Sequence, residues 1–315
     1  MKERSEALYN LGQENEVFIF FEYLPRVVFF VCKNDDLWSG IGAPPAKLYD
    51  VLMNLSIKQY FSRSLRRSIG LIKLMKKAFK LRFNVLCFKT LDNYLNNPCV
   101  RKYLDLIIDY TSNPLKYLEK NFATDKTGER TKSFSSWYSL RCGKKLMRRD
   151  HLNVHITTGC ELHPVTSVTV LREKGKDNVI FRKHNKKLKK QGFGVDIHSG
   201  DSVYLSRENC TAVEEIGGKP RFHLKKGLTK KPKSHPAWKK MLIYAEEHPK
   251  EYDTEYHTRS NVESTNHAKK AKFGDVVLCK NDIAQEQESH LTWCCYNFTV
   301  LSRAYYELGI EPIDW

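Results

Sequence analysis

The sequence lacks the cysteine patterns of a disulfide scaffold or a zinc module. Its nine cysteines are irregularly spaced, none forms a C-x-x-C pair, and the adjacent Cys294 and Cys295 cannot form an ordinary bridge with each other. An odd, scattered set of cysteines is typical of a protein kept in a reducing compartment. We therefore expect a cytoplasmic protein without a structural zinc site.

A long uncharged apolar run is also missing. The most apolar stretch, residues 17–31, is interrupted by Glu22, Pro25 and Arg26, and it is too short to span a bilayer. The first residues are charged, and no apolar run leads to a cleavage site, so we expect no secretory signal. The stretch is predicted to be a buried helix or strand, and no membrane partner is expected.

Acidic residues are not scarce, but basic residues outnumber them by 53 to 36, which gives a formal net charge of +17. Such an excess indicates a polyanionic partner, either nucleic acid or an anionic membrane surface. The apolar share of 41% over 315 residues is normal for a globular protein of one large or two ordinary domains.

The N-terminal third has the apolar spacing of helices. Apolar residues recur at intervals of three and four from Leu48 to Phe61 and again from Leu65 to Met75. The helix predicted around the second of these segments carries six basic residues on its other face, namely Arg63, Arg66, Arg67, Lys73, Lys76 and Lys77. It is either a DNA-reading helix or a helix with a solvated charged face. We predict a small helical domain over residues 1–117.

From about residue 118 onward, β-rich segments alternate with helical ones. Asp125 follows one short predicted strand and precedes a Gly turn, and Asp201 follows a later strand. Asp196 competes with Asp201 as the functional aspartate. Residues 172–190 contain nine basic and two acidic residues and are predicted to form an exposed helix. The predicted strands cover residues 122–125, 134–140, 151–158, 164–171, 192–200 and 220–224.

Basic residues also cluster in two predicted loops. Arg148 and Arg149 belong to a basic hairpin tip between two of these strands, a position suited to contacts with backbone phosphates. Residues 219–240 contain nine Lys or Arg and no acidic residue. The two histidines His151 and His155 would share a strand face, but no Cys or acid completes a metal site with them.

One short C-terminal stretch places four functional side chains at helical intervals. Tyr256, Arg259, Glu263 and Lys270 are separated by two, three and six residues, so one helix would carry them on one face. A tyrosine, an arginine, a carboxylate and a lysine in this arrangement suit the binding of a phosphate backbone beside a metal-binding carboxylate.

This Y-(2)-R-(3)-E-(6)-K spacing resembles the signature of insertion-sequence transposases of the DDE class. The resemblance implies an α/β fold in which a ribonuclease-H-like mixed sheet is flanked by helices and preceded by a small helical N-terminal domain. The catalytic domain would cover residues 118–315, with a basic insertion at about 225–255. Around Asp125, the sequence F-A-T-D-K-T-G is similar to the family's first-strand motif, and Asp201 with Tyr204 is similar to its second.

The resemblance also implies the chemistry. Asp125, Asp201 and Glu263 would hold two Mg²⁺ (or Mn²⁺) ions for in-line phosphoryl transfer. Tyr256, Arg259 and Lys270 would bind DNA. The expected activity is cleavage at element ends followed by joining of 3′-hydroxyls to target DNA. Expected partners are double-stranded DNA, as terminal inverted repeats and target, and further copies of the chain in a synaptic complex at the nucleoid of a prokaryote.

Three alternatives stay open from the sequence alone. Lys126 and Glu129 stand where the family usually has a small and an apolar residue, which favours an inactive transposase-derived DNA-binding protein. A ribonuclease-H-like nuclease without strand transfer would use the same three carboxylates. A basic structural protein without chemistry would not need them.

Overall fold

A computed structural model describes residues 5–33, 46–131, 141, 151–172, 175–229 and 235–311. It is an α/β protein with a five-stranded mixed sheet flanked by helices, which confirms the predicted fold class at this level. None of the described helices combines the length and apolar character needed to cross a lipid bilayer.

The described helices and strands follow one another along the chain with two 3₁₀ turns between them. The helices are α1 (Glu6–Glu14), α2 (Glu16–Cys32), α3 (Leu48–Tyr60), α4 (Leu65–Ala78), α5 (Phe88–Leu95), α6 (Arg101–Ser112), α7 (Asp177–Gln191), α8 (Arg207–Glu214), α9 (Pro236–Glu247), α10 (Pro249–His257), α11 (Ser260–Phe273) and α12 (Asp282–Leu308). The strands are β1 (Asn121–Arg130), β2 (His151–Gly159), β3 (Val165–Leu171), β4 (Ile197–Gly200) and β5 (Lys219–Phe222). The 3₁₀ turns are Pro98–Val100 and Asn113–Leu115.

The sheet has the strand order β3-β2-β1-β4-β5. Strand β1 pairs in parallel with β4, and β4 pairs in parallel with β5. Strands β2 and β3 are antiparallel, with a bulge between Thr157 and Thr158. Because β1 and β4 are parallel neighbours, the residues that follow their last paired positions lie at the same edge of the sheet.

The chain divides into two compact units. Unit 1 comprises Met1–Thr111, Glu129–Leu152 and Lys269–Trp315, and unit 2 comprises Ser112–Gly128 and Asn153–Ala268. All the strand pairings given above are between residues of unit 2.

Unit 1 is built around α12. This helix contacts α1, α2, α3 and α5, so it is buried on nearly all sides from Ala284 to Ala304. A helix enclosed in this way is expected to be apolar all round, yet Glu288 is 2% exposed and pairs with the buried Lys58. Burial alone would raise the pKa of Glu288, but the adjacent ammonium holds that pKa below its ordinary value.

Unit 2 has an apolar core to which β5, α7 and α9 contribute. Phe181, Tyr204, Phe222, Trp238 and Met241 belong to one buried cluster.

Gly192 ends α7 with a φ of 78°, in the left-handed region that glycine adopts at a helix C-terminus without strain.

A second set of buried side chains in unit 2 is polar. The hydroxyl of Thr124 lies 2.6 Å from that of Thr157 and 2.8 Å from Nε2 of His198. Thr157 also lies 2.8 Å from Nδ1 of His184. Burial lowers the pKa of His198 to about 3 and the pKa of His184 well below its ordinary value. These histidines are therefore neutral at physiological pH, each satisfied by neutral hydrogen-bonding groups.

Most predicted elements match in type, and the differences have local causes. The stretch of residues 17–31 is the buried helix α2. The predicted exposed helix at residues 172–190 is wrong in two respects, because α7 begins only at Asp177 and buries Ile180, Phe181 and Leu188 against the unit. Strand β1 continues past Asp125 to Arg130, so the predicted end of that strand is also wrong. What ends beside Asp125 is the parallel pairing, whose last pair is Thr124 with Gly200.

Two predictions fall outside the described residues. They are the strand at 134–140 and the basic hairpin tip with Arg148 and Arg149.

Candidate active site

Two parallel strands place the first two carboxylates. Asp125 and Asp201 each follow the last residue of the parallel pairing between β1 and β4, so they lie at the same edge of the sheet. The Asp125 side chain is 16% exposed. Oδ1 of Asp201 accepts a hydrogen bond of 2.6 Å from the backbone N–H of Ser202, and its carbonyl accepts one of 2.9 Å from the N–H of Tyr204. The alternative residue, Asp196, is exposed and precedes β4 at the opposite end of that strand.

The prediction that a single helix carries the C-terminal signature is wrong. Tyr256 lies in the last turn of α10, Arg259 lies in the turn that follows, and Glu263 belongs to the first turn of α11. The interruption falls at Thr258, whose hydroxyl donates to the carbonyl of Glu255 at 2.7 Å. A side chain that bonds back to the preceding turn competes with helix continuation.

Arg259 connects two of the carboxylates. Its Nη1 donates to Oε1 of Glu263 at 2.8 Å, and its Nη2 lies 3.5 Å from Oδ1 of Asp125. The Arg259 side chain is 19% exposed, whereas that of Glu263 is 58% exposed. The guanidinium is therefore held at the rim of the site, between one half-buried and one solvated carboxylate.

The charges of the site act on one another. Burial raises the pKa of Asp125, the backbone N–H of Lys126 and the charge of Arg259 oppose that shift, and the charges of Glu263 and Asp201 add to it. For Arg259, burial alone would lower the pKa, but the neighbouring acidic groups, led by Asp125, raise it. The three predicted carboxylates are thus near enough to interact electrostatically.

Tyr256 belongs to the same cluster, and Lys270 is a residue of unit 1. Burial raises the pKa of Tyr256, which also interacts with the charges of Arg259, Asp201 and Glu263. Lys270 lies in the residues of α11 that belong to unit 1, where its charge contributes to lowering the pKa of Asp275. Unit 2 therefore brings together Asp125, Asp201, Tyr256, Arg259 and Glu263.

One residue of this cluster was missed from the sequence. Nδ2 of Asn266 donates to Oδ2 of Asp125 at 3.3 Å, and Asn266 is 8% exposed. Its Oδ1 is buried and has no hydrogen-bond partner among the described residues. Asn266 lies three residues after Glu263 and so shares its helix face, which is the signal that could have identified it.

Lys126, which departs from the family pattern, is part of a second unpredicted chain of contacts. Its Nζ lies 3.0 Å from Oδ1 of Asp177, and the same oxygen lies 3.4 Å from Nε2 of His155. Nδ1 of His155 lies 2.8 Å from the hydroxyl of Tyr204. Burial lowers the pKa of His155 to about 4, so the ring is neutral at pH 7. This series of side chains fixes Tyr204, whose own pKa responds to the charges of Asp125 and Asp201.

Glu129, the other departure, forms a buried ion pair in unit 1. Its Oε1 lies 2.6 Å from Nζ of Lys269, and the two side chains are 1% and 3% exposed. Lys269 also lies over the ring of Trp293, with Nζ 5.5 Å from the ring centroid. Lys126 and Glu129, the two residues that differ from the family pattern, therefore each have an oppositely charged partner.

The ligand atoms of the carboxylate cluster are all oxygens, which suits a divalent cation such as Mg²⁺. Oxygen ligands without His or Cys are the ligands that Mg²⁺ prefers. Three carboxylates and the Arg259 guanidinium leave two formal negative charges, which a divalent cation balances. In the described part of the chain, no three Asp, Glu, His or Cys side chains are grouped closely enough to hold a metal ion as they stand. Since Arg259 is bound to two of the three carboxylates, binding a cation there requires rearrangement of its side chain.

No protein-family model, curated protein or solved structure matches this chain.

Proposed function

We propose that this protein is an insertion-sequence DDE transposase with a ribonuclease-H-like catalytic fold. It cuts DNA strands at the ends of an element and joins the 3′-hydroxyls to target DNA. The observation that carries the proposal is the convergence of Asp125, Asp201 and Glu263 around Arg259 within one unit. Asp125, Asp201 and Glu263 are 62 or more positions apart in the sequence, so local chain geometry alone does not bring them together.

Each side chain has a role in this proposal. Asp125 and Asp201 lie at the same edge of two adjacent parallel strands, and Glu263 on α11 is bound to the same arginine as Asp125. Once the Arg259 side chain has moved, the three carboxylates would hold Mg²⁺ (or Mn²⁺), as two ions. When bound, such ions polarise the phosphoryl oxygens and lower the pKa of the attacking hydroxyl. Arg259 binds a phosphate oxygen pair beside the carboxylates, since a planar guanidinium matches phosphate geometry. Tyr256 donates a hydrogen bond to a phosphate or stacks on a displaced base.

Two supporting residues complete the site. Asn266 orients the Asp125 carboxyl through its amide N–H, and Tyr204 is fixed by His155 beside both aspartates. The net charge of +17 supports double-stranded DNA as the partner. In this proposal Lys270 and the hairpin residues Arg148 and Arg149 add phosphate contacts. The chain acts as a homo-oligomer at two DNA ends and resides at the nucleoid of a prokaryotic cytoplasm.

The first test uses purified full-length protein and DNA carrying both boundaries of the genomic region around the gene. We expect strand cutting that needs Mg²⁺ and stops with EDTA. Glu263→Gln should reduce the cutting rate by on the order of 10³-fold or more while DNA affinity changes little. Glu251→Gln serves as the matched control, because Glu251 is exposed on α10. Equal cutting by the Glu263→Gln variant and the wild type would refute the assignment. Tight DNA binding without any cutting would favour the inactive DNA-binding alternative.

A further inference from the structure

Unit 2 contains a cavity in which none of the five clustered site residues takes part. It has a volume of about 350 Å³ and lies between β5, the end of α8 and the first turns of α9. Binding pockets for small molecules begin at about this size. The cavity therefore has room for a small organic molecule of one or two rings.

Arg221 of β5 lines this cavity and is only 4% exposed. Its Nε donates to Oε2 of Glu255 at 2.5 Å, and its Nη1 donates to the carbonyl of Pro220 at 2.9 Å. Cζ lies 4.4 Å from the ring centroid of Tyr244 and 5.2 Å from that of Tyr252. The guanidinium is thus fixed in position by two hydrogen bonds and two rings.

One nitrogen of this fixed guanidinium, Nη2, makes no hydrogen bond with any residue in the described ranges. Nη2 is not one of the buried polar atoms that lack a partner in the described ranges, so it is in contact with solvent. A guanidinium N–H makes its strongest hydrogen bonds with carboxylate oxygens. An acceptor placed in the cavity beside Arg221 can therefore take a hydrogen bond from Nη2.

The other residues that line the cavity restrict the kind of molecule that can carry this acceptor. Ala237 and Met241 are each 2% exposed and, with Tyr244, form an apolar wall. At the rim, Lys240 is paired with Glu214 at 2.6 Å. Glu255 balances Arg221, so Lys219 is the one lining charge without a described ion-pair partner. The local charge therefore favours a monoanion with an apolar body.

We propose that this cavity binds a small aromatic carboxylate. One carboxylate oxygen accepts a hydrogen bond from Nη2 of Arg221, and the ring packs against Ala237, Met241 and Tyr244. The proposal stands on the cavity alone and does not depend on the nuclease or transposase chemistry.

The test uses 2-naphthoate as the probe and isothermal titration calorimetry on the full-length protein. We expect measurable 1:1 binding of 2-naphthoate and at least tenfold weaker binding of the neutral 2-naphthamide. Ala237→Leu, which fills the cavity from α9, should abolish binding. Lack of 2-naphthoate binding at millimolar concentration, or equal binding of acid and amide, overturns the proposal.

A second pair of variants keeps the test decisive if Ala237→Leu does not fold. Lys219→Gln should weaken 2-naphthoate binding severalfold, because it removes the unpaired positive charge at the rim. Lys239→Gln should leave it unchanged, because Lys239 is exposed on α9 and does not line the cavity. Equal effects of the two substitutions would mean that only net charge matters and would overturn the assigned site.

Discussion

At the residue scale, the protein relies on charged side chains that are buried in pairs. Lys269 with Glu129 and Lys58 with Glu288 are each at most 3% exposed. Removing one partner of such a pair leaves an uncompensated charge in a medium of low dielectric constant, whereas replacing both removes the problem. These pairs therefore affect stability most when they are broken singly.

Lys269→Met should lower the free energy of unfolding by about 3–5 kcal/mol, because it leaves Glu129 buried without its partner. The double variant Glu129→Leu/Lys269→Met should be more stable than Lys269→Met alone. Lys89→Met is the control, since Lys89 pairs with Asp92 at the surface and should cost less than about 1 kcal/mol. Urea unfolding measures all three, and similar costs for Lys269→Met and Lys89→Met would contradict the role of burial.

Asn266 gives a prediction within the candidate site. Asn266→Ala removes the amide that orients the Asp125 carboxyl, and loss of such a supporting contact typically lowers activity about 10- to 100-fold. The rate of Mg²⁺-dependent DNA cutting should fall by that factor while DNA affinity is retained. His267→Ala, at the exposed neighbouring position on α11, should leave the rate unchanged. A wild-type rate in Asn266→Ala would mean that Asp125 needs no such support.

At the element scale, the sequence pattern predicted most elements and failed where side chains changed the backbone path. The periodicity of residues 48–61 and the β-rich stretch of 151–158 match α3 and β2 closely. The helix break at Thr258 was missed, because the spacing of Tyr256, Arg259 and Glu263 is equally compatible with one helix or with two joined by a turn. Asp201 follows β4 as predicted, whereas Asp125 lies within β1, just past the last residue that pairs with β4. The contacts of His155 and Asp177 were not predictable, since long-range contacts leave no trace in local spacing, and Asn266 could be identified only by its spacing from Glu263.

Strand β2 also makes a prediction about pH. His155 on β2 has a pKa lowered to about 4 by burial, compared with 6.5 for an ordinary histidine. Between about pH 4 and pH 6.5 the unfolded chain binds a proton at His155 that the folded protein does not bind. The contribution of His155 to the free energy of unfolding therefore rises with pH and is lost on acidification. The slope is up to about 1.4 kcal/mol per pH unit.

His155→Gln should therefore flatten the dependence of the melting temperature on pH between about 4.5 and 6.5, because glutamine can hydrogen-bond to Tyr204 but does not titrate there. His151→Gln provides the control, since His151 is exposed on the same strand. Identical pH profiles for the two variants would contradict the lowered pKa of His155 in the folded protein.

At the scale of the whole molecule, the excess of basic residues gives a prediction about the proposed binding of DNA. With +17 overall, binding should be dominated by phosphate contacts and counterion release. We expect the dissociation constant for any duplex of 30 base pairs to rise by roughly 10³-fold or more between 50 and 200 mM salt, as for proteins with six to ten phosphate contacts. Fluorescence anisotropy measures this, and an affinity that does not change with salt would exclude such an interface.

The most direct measurement of the central claim is strand transfer itself. Linear DNA ending at the element boundaries, with free 3′-hydroxyls, is incubated with the protein, Mg²⁺ and a supercoiled target plasmid, and the junctions are sequenced. The account predicts covalent joining of the 3′ ends to target strands by the wild type and none by Glu263→Gln. Nicked or degraded plasmid without joined ends would contradict it and would identify a nuclease, and joining by the Glu263→Gln variant at the wild-type rate would show that this carboxylate is not part of the active site.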